Sequence, residues 1–182
     1  MSTQGLIKLH KDEALKLYFQ LKESLESQCD CKVYYAGSLL RYSDLPTDKE
    51  FGDLDLVIVY ESPYHTDSIK EFVNKNFEVK RCGSKKITFL KDGMQVDLNA
   101  TDEVGFESMM LTCTGDSKFN LILRSKAKKC GFKLNEYGLY TYEGELVAIN
   151  QDEIFEKLGI RYYLPEERSF KDKNIYWLEK RK

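Results

Sequence analysis

An α+β fold with a mixed sheet is predicted by three features of this chain. An amphipathic helical repeat opens it, strand and hairpin patterns fill the stretch to residue 99, and helical periodicity returns beyond that point. The change of pattern near residues 100–105 places a boundary between two lobes there.

Ala14, Leu17, Tyr18, Leu21 and Leu25 recur at helical spacing within residues 10–28, with Lys and Glu on the other face. Lys32 to Ala36, rich in Val and Tyr, reads as a short strand running into a Gly-Ser turn. Leu54 to Tyr60 is almost continuously apolar, as in a central strand covered on both faces, and only Asp55 interrupts it. Residues 65–76 read as a helix, and 77–82 and 86–90 as strands. Asp92-Gly93 is a hairpin turn into a strand over 94–99. In the second lobe, 117–131 reads as a helix stopped by Gly131. A hairpin over 139–141 and 146–149 turns at Glu143-Gly144, and a helix begins near Asp152 and runs to Leu158. No repeat or low-complexity segment interrupts this order.

A chain of 182 residues, 42% hydrophobic and 32% charged, can bury a core without staples. It has no apolar run near the ~18 residues of a membrane span. The first residues lack the basic and apolar regions of a secretory signal, so the expected location is intracellular, in cytoplasm or nucleus. The five cysteines are odd in number and scattered, and their one close pair, Cys29 and Cys31, has no matching His or Cys cluster, which argues against a zinc site. His10 and His65, the two histidines, sit in polar surroundings and read as solvated. Net charge is −2, against a generic nucleic-acid binder, but its distribution is uneven. Lys118, Arg124, Lys126, Lys128, Lys129 and Lys133 lie in a stretch without acids, and Lys80, Arg81, Lys85 and Lys86 form a second cluster.

Asp53 and Asp55, two apart on a strand, present their carboxylates to one face, about 6–7 Å apart at the backbone. Asp97 lies in another strand, and if that strand neighbours the first, three carboxylates converge. Such hard oxygen donors suit Mg²⁺ or Mn²⁺, and two ions can activate an attacking hydroxyl and stabilise departing pyrophosphate. Upstream, Gly37 allows close backbone approach to a phosphate, Ser38 adds a hydroxyl, Arg41 lies one turn on, and Gly52 precedes the first aspartate. Asn120, Arg124 and Lys128 recur every four residues on one helical face, while Phe119, Ile122, Leu123, Ala127 and Cys130 line the other.

These motifs resemble the family X, or DNA polymerase beta-like, DNA polymerases. The resemblance runs through Gly37-Ser38 to Arg41, Gly52-Asp53-Leu54-Asp55, Val96-Asp97-Leu98, Thr114-Gly115, Leu134 to Leu139, and Glu153 to Arg168. It implies a nucleotidyltransferase palm over residues 1–103, a small α+β C-terminal subdomain over 104–170 that closes on the nascent base pair, and a basic tail over 171–182. Asp53, Asp55 and Asp97 would be catalytic and bind two Mg²⁺ or Mn²⁺ ions. Gly37, Ser38, Arg41 and Gly52 would hold the nucleotide's phosphates. Thr112, Cys113 and Gly115 would pack against its sugar, and Asn120 would touch its base. Arg124 and Lys128 would contact DNA, with Tyr137 supporting Arg124. Lys8 is a further triphosphate candidate.

The implied partners are gapped or primer-template DNA and a dNTP, acted on by a monomer with no membrane association. Little precedes the palm, so the reduced form without lyase and helix-hairpin-helix domains is expected, and with it no lyase activity. The chain departs from the family pattern at Leu40, Gln95 and Asn99, where arginines are usual, and in a longer segment over residues 42–51. The small Thr112-Cys113 pair implies weak sugar discrimination. Two other readings stay open: template-independent, RNA or small-acceptor nucleotidyl transfer, and a noncatalytic module that binds DNA ends.

Overall fold

The computed structural model describes residues 6–62 and 65–170. The tail over 171–182 and the side chain of His65 lie outside the described residues. The chain divides after Glu103 into two compact units.

The first unit is a five-stranded sheet with helices on one face. Its elements are α1 (Lys11–Gln28), β1 (Cys31–Tyr35), α2 (Gly37–Arg41), β2 (Asp53–Tyr60), α3 (His65–Asn76), β3 (Glu78–Cys82), β4 (Lys86–Lys91) and β5 (Met94–Thr101). The strand order is β1-β2-β5-β4-β3. Only β2 and β5 run parallel, and their neighbours pair antiparallel, so the sheet is mixed. Alternation along the strands decides which side each residue takes. Leu54, Leu56, Ile58, Ile87, Phe89, Val96 and Leu98 pack with Ala14, Leu17, Leu21 and Leu25 of α1 and Ile69 and Val73 of α3. Asp53, Asp55, Asp97, Lys86 and Thr88 occupy the alternate positions, so they share the opposite face.

The hairpin between β4 and β5 turns at Asp92 and Gly93, with φ of 51° and 83°, the left-handed pair that a two-residue turn matching strand twist requires. Phe89 is fully buried and stacks on Phe77 with ring centroids 4.6 Å apart, and truncating it to Ala costs about 3–5 kcal/mol by cavity formation. The segment between α2 and β2 is pinned. Leu9 and Phe51 exchange backbone hydrogen bonds of 3.0 and 2.8 Å, Phe51 is buried, and Lys49 Nζ lies 5.3 Å from the centre of the Tyr42 ring. This anchors Gly52-Asp53 at the start of β2.

The second unit contains α4 (Phe106–Thr114), α5 (Ser117–Lys129), α6 (Gln151–Lys157) and a small antiparallel sheet of β6 (Lys133–Asn135), β7 (Gly138–Tyr140) and β8 (Leu146–Ala148). Phe119, Leu123 and Ala127 of α5 join Leu111, Leu139, Ile154 and Phe155 in its core. Gly131, with φ 83°, ends α5 as expected: Phe132 N–H donates to Ala127 O and Gly131 N–H to Lys128 O, which satisfies the last helical carbonyls. Helix α6 differs from expectation, because Asn150 rather than Asp152 caps it, its Oδ1 accepting from Glu153 N–H at 2.8 Å. No helix among the described residues is long and apolar enough to cross a membrane.

Candidate active site

The register of β2 against β5 puts Asp55 directly opposite Asp97, and Asp53 opposite Gln95. Side chains of opposed residues in a parallel pair leave the sheet on the same side, and so do residues two apart. All three carboxylates therefore rise from one face, near the starts of two adjacent strands.

Asp55 bears the electrostatic consequence. Burial, then the charges of Asp53 and Asp97, push its carboxyl up from an ordinary 3.8 to about 7, with Lys86 and Arg41 partly offsetting them. A desolvated carboxyl between two like charges disfavours its own ionisation and is relieved by a cation.

Asp97, itself buried, is held by strand β4. Thr88 Oγ1 donates to its Oδ1 at 2.6 Å, and Lys86 Nζ lies 3.1 Å from its Oδ2. Gln95 Nε2 reaches the same Oδ2 at 3.5 Å, while Asn99 Nδ2 turns to Leu56 O at 3.4 Å. In the sequence Lys86 belongs to the basic cluster of Lys80, Arg81, Lys85 and Lys86. In the fold Lys86 pairs with Asp97 and Lys80 with Glu78, so half of that patch is spent on acids.

The donor chemistry fits a divalent cation: hard oxygens, one of them desolvated and repelled by its neighbours. Among the described residues no three acidic, imidazole or thiol groups form a ready metal cluster, and the oxygens of Asp97 are instead engaged by β4. Asp53 is exposed at the strand's start and Asp55 is half-buried beside it.

Gly37 opens α2 with φ 61°, and a Cβ there would stand 2.0 Å from Asp55 Oδ2. The glycine is needed for the approach of the second aspartate, a reason the sequence alone does not disclose. Ala36 N–H donates to Asp55 O at 2.9 Å, which ties this turn to β2. Ser38 and Arg41 are half-buried on α2, and the charge of Arg41 is felt at Asp55. Gly52 is exposed, and a Cβ on it would meet nothing within 4 Å. Lys8 is exposed beside the Leu9–Phe51 bridge.

In the second unit, Thr112 and Cys113 are half-buried near the end of α4, and Gly115 follows its last turn. Asn120 Nδ2 donates to Thr112 O at 2.8 Å and Gly115 O at 2.9 Å. A Cβ on Gly115 would come within 2.5 Å of Asn120 Oδ1, so Thr112, Gly115 and Asn120 form one packed corner. Arg124 and Lys128 are exposed on α5. Tyr137 lies in the turn from β6 to β7, its N–H donating to Asn135 Oδ1 at 2.8 Å.

Residues 109–169 match the family model described as the DNA polymerase beta thumb. The chain is 27% identical over 173 residues to Repair DNA polymerase X of African swine fever virus (isolate Tick/South Africa/Pretoriuskop Pr4/1996), across 88% of this chain and 95% of that one. Together these matches support a family X DNA polymerase. The chain is also 25% identical over 198 residues to DNA polymerase IV of Saccharomyces cerevisiae, covering 96% of itself but 32% of the yeast protein. Its fold is that of Leishmania infantum polymerase beta, solved as a ternary P/T complex, with a TM-score of 0.76 at 21% identity over 90% of this chain and 77% of that one.

Sequence reading missed Thr88 as a partner of Asp97 and Asp116 as an anchor. The signal for the first was present, since Lys86-Ile87-Thr88-Phe89 alternates polar with apolar and so aims two polar groups at one face. Asp116 caps α5, accepting from Phe119 N–H at 2.7 Å, and its other oxygen accepts from Ser169 Oγ at 2.8 Å and Phe170 N–H at 3.0 Å.

Proposed function

We propose that this chain is a template-directed DNA polymerase that adds deoxynucleotides to a primer 3′-hydroxyl and fills short gaps in repair. The observation that carries the reading is the parallel register opposing Asp55 to Asp97, with Asp53 on the same face and Gly37 against Asp55. Two Mg²⁺ or Mn²⁺ ions bound by Asp53, Asp55 and Asp97 would supply the Lewis acidity that activates the hydroxyl and stabilises pyrophosphate.

The chain's own groups do the positioning. Ser38 donates a hydroxyl to the triphosphate, Arg41 neutralises it, and the missing side chain of Gly52 leaves room for it. In the second unit the corner of Thr112, Cys113, Gly115 and Asn120 borders the incoming sugar and base. The exposed Arg124 and Lys128 neutralise DNA phosphates, with Tyr137 behind Arg124. In this reading residues 1–103 are the palm, 104–170 close on the nascent pair, and the protein works as an intracellular monomer. The relatives named above, a repair polymerase and a DNA polymerase, support it.

Primer extension on a one-nucleotide gap, a nick and a lone single strand, each with the four dNTPs separately, tests the reading. The templated nucleotide alone should be added at the gap, and the single strand should stay unextended. Equal, untemplated addition to the single strand would overturn it.

A further inference from the structure

A cation reaches Asp97 from the neighbouring strand β4. Lys86 and Thr88 stand two apart on β4, and the antiparallel register sets Thr88 directly opposite Asp97. Lys86 thus leaves the sheet on the carboxylate face, its ammonium 3.1 Å from Asp97 Oδ2, while Thr88 fixes Oδ1 at 2.6 Å. Both carboxylate oxygens are committed to β4, and the lysine side chain is 45% exposed, so solvent is available to receive it on release.

We infer that Lys86 is a positioning residue for the third carboxylate: its ammonium holds Asp97 and must leave before Asp97 can ligate a divalent cation. The inference rests on the metal reading of the aspartates given above. Two cations cannot share one carboxylate oxygen closely without repulsion, so metal and lysine compete for the same atom. The pair is partly solvated, which keeps the competition modest and reversible. Lys86 thereby makes the third ligand conditional, with Asp53 and Asp55 accepting metal first.

The test is Mn²⁺ titration of the intact chain without DNA or nucleotide, read by the electron paramagnetic resonance of free Mn²⁺. Lys86→Met should tighten Mn²⁺ binding about fivefold, the scale of a partly exposed ion pair. Lys86→Arg should restore the parent affinity. Lys80→Met, which removes an equal charge from the same hairpin where it pairs with Glu78, should stay within about twofold of the parent, since a more remote exposed charge is screened. In the unmutated chain, the side-chain ¹⁵N resonance of Lys86 should move on Mg²⁺ addition, a readout that requires no variant to fold. The inference is overturned if Lys86→Met binds Mn²⁺ no tighter, if Lys80→Met tightens it equally, or if the Lys86 resonance stays still under saturating Mg²⁺. Mn²⁺ affinity indifferent to Asp55→Asn overturns the metal reading itself, a result separate from an indifferent Lys86.

Discussion

Gly37 and Asp55 occupy one another's space so closely that a methyl group on residue 37 would lie 2.0 Å from Oδ2 and 2.7 Å from Cγ of the aspartate. The backbone there also has φ 61°, where an L side chain is strained. Gly37→Ala should therefore cost about 2–4 kcal/mol in urea unfolding and displace the carboxylate from its place. Gly52→Ala, with open space around it, should change stability by less than about 0.5 kcal/mol. Equal stabilities for the two variants would show that the turn yields.

The Asp55 carboxyl, pushed up to about 7 by burial and then by Asp53 and Asp97, keeps a proton in the folded chain that the unfolded chain gives up near 3.8. Between those values the native state binds more protons. The group's contribution to stability is therefore present below about pH 4 and lost as pH rises through about 7. In a chelating buffer Asp55→Asn should raise the melting temperature at pH 8 by about 3–6 °C and leave it nearly unchanged at pH 4. Equal shifts at both pH values would contradict the origin assigned to this proton.

Asp116 joins the start of α5 to Ser169 and Phe170 through three accepted hydrogen bonds while buried. Asp116→Ala removes the helix cap and leaves two donors unanswered. It should destabilise the second unit by about 2–4 kcal/mol, measurable by chemical denaturation. Asp116→Asn keeps the cap acceptor and should cost about half as much.

Arg124 and Lys128 lie exposed on α5. Each Ala substitution should weaken binding to gapped DNA alike across sequences and reduce the slope of log affinity against log salt by about 1. Fluorescence anisotropy over a salt series reads both effects, and an unchanged slope would remove the residue from the DNA-facing surface.

Local pattern carried much of the fold. The almost unbroken apolar run from Leu54 to Tyr60 marks β2 as an interior strand, and Gly131 after a basic helix marks the end of α5, because both signals lie within a few residues of what they specify. Helix α4 is harder to place: Ser108, Met109, Leu111 and Thr114 are all buried, so the two-sided contrast that betrays a surface helix is weak. Two possible caps stand two residues apart at Asn150 and Asp152, and the hydrogen bond from Glu153 N–H decides for Asn150. In the site, the carboxylates could be named from their spacing, but the adjacency of β2 and β5 is a property of sheet order across a crossover. Lys86 shows the same gap: its charge is visible in sequence, whereas its pairing with Asp97 depends on an antiparallel register set by the Asp92-Gly93 turn.

The most direct test of the central claim is the single-turnover rate of nucleotide addition by Asp97→Asn on a one-nucleotide gapped duplex, alongside its melting temperature. Asp97→Asn should lose at least about a thousandfold in rate with the fold retained, because the substitution keeps the side chain's shape and removes the charge opposed to Asp55. A variant that fills the gap as fast as the parent would contradict it.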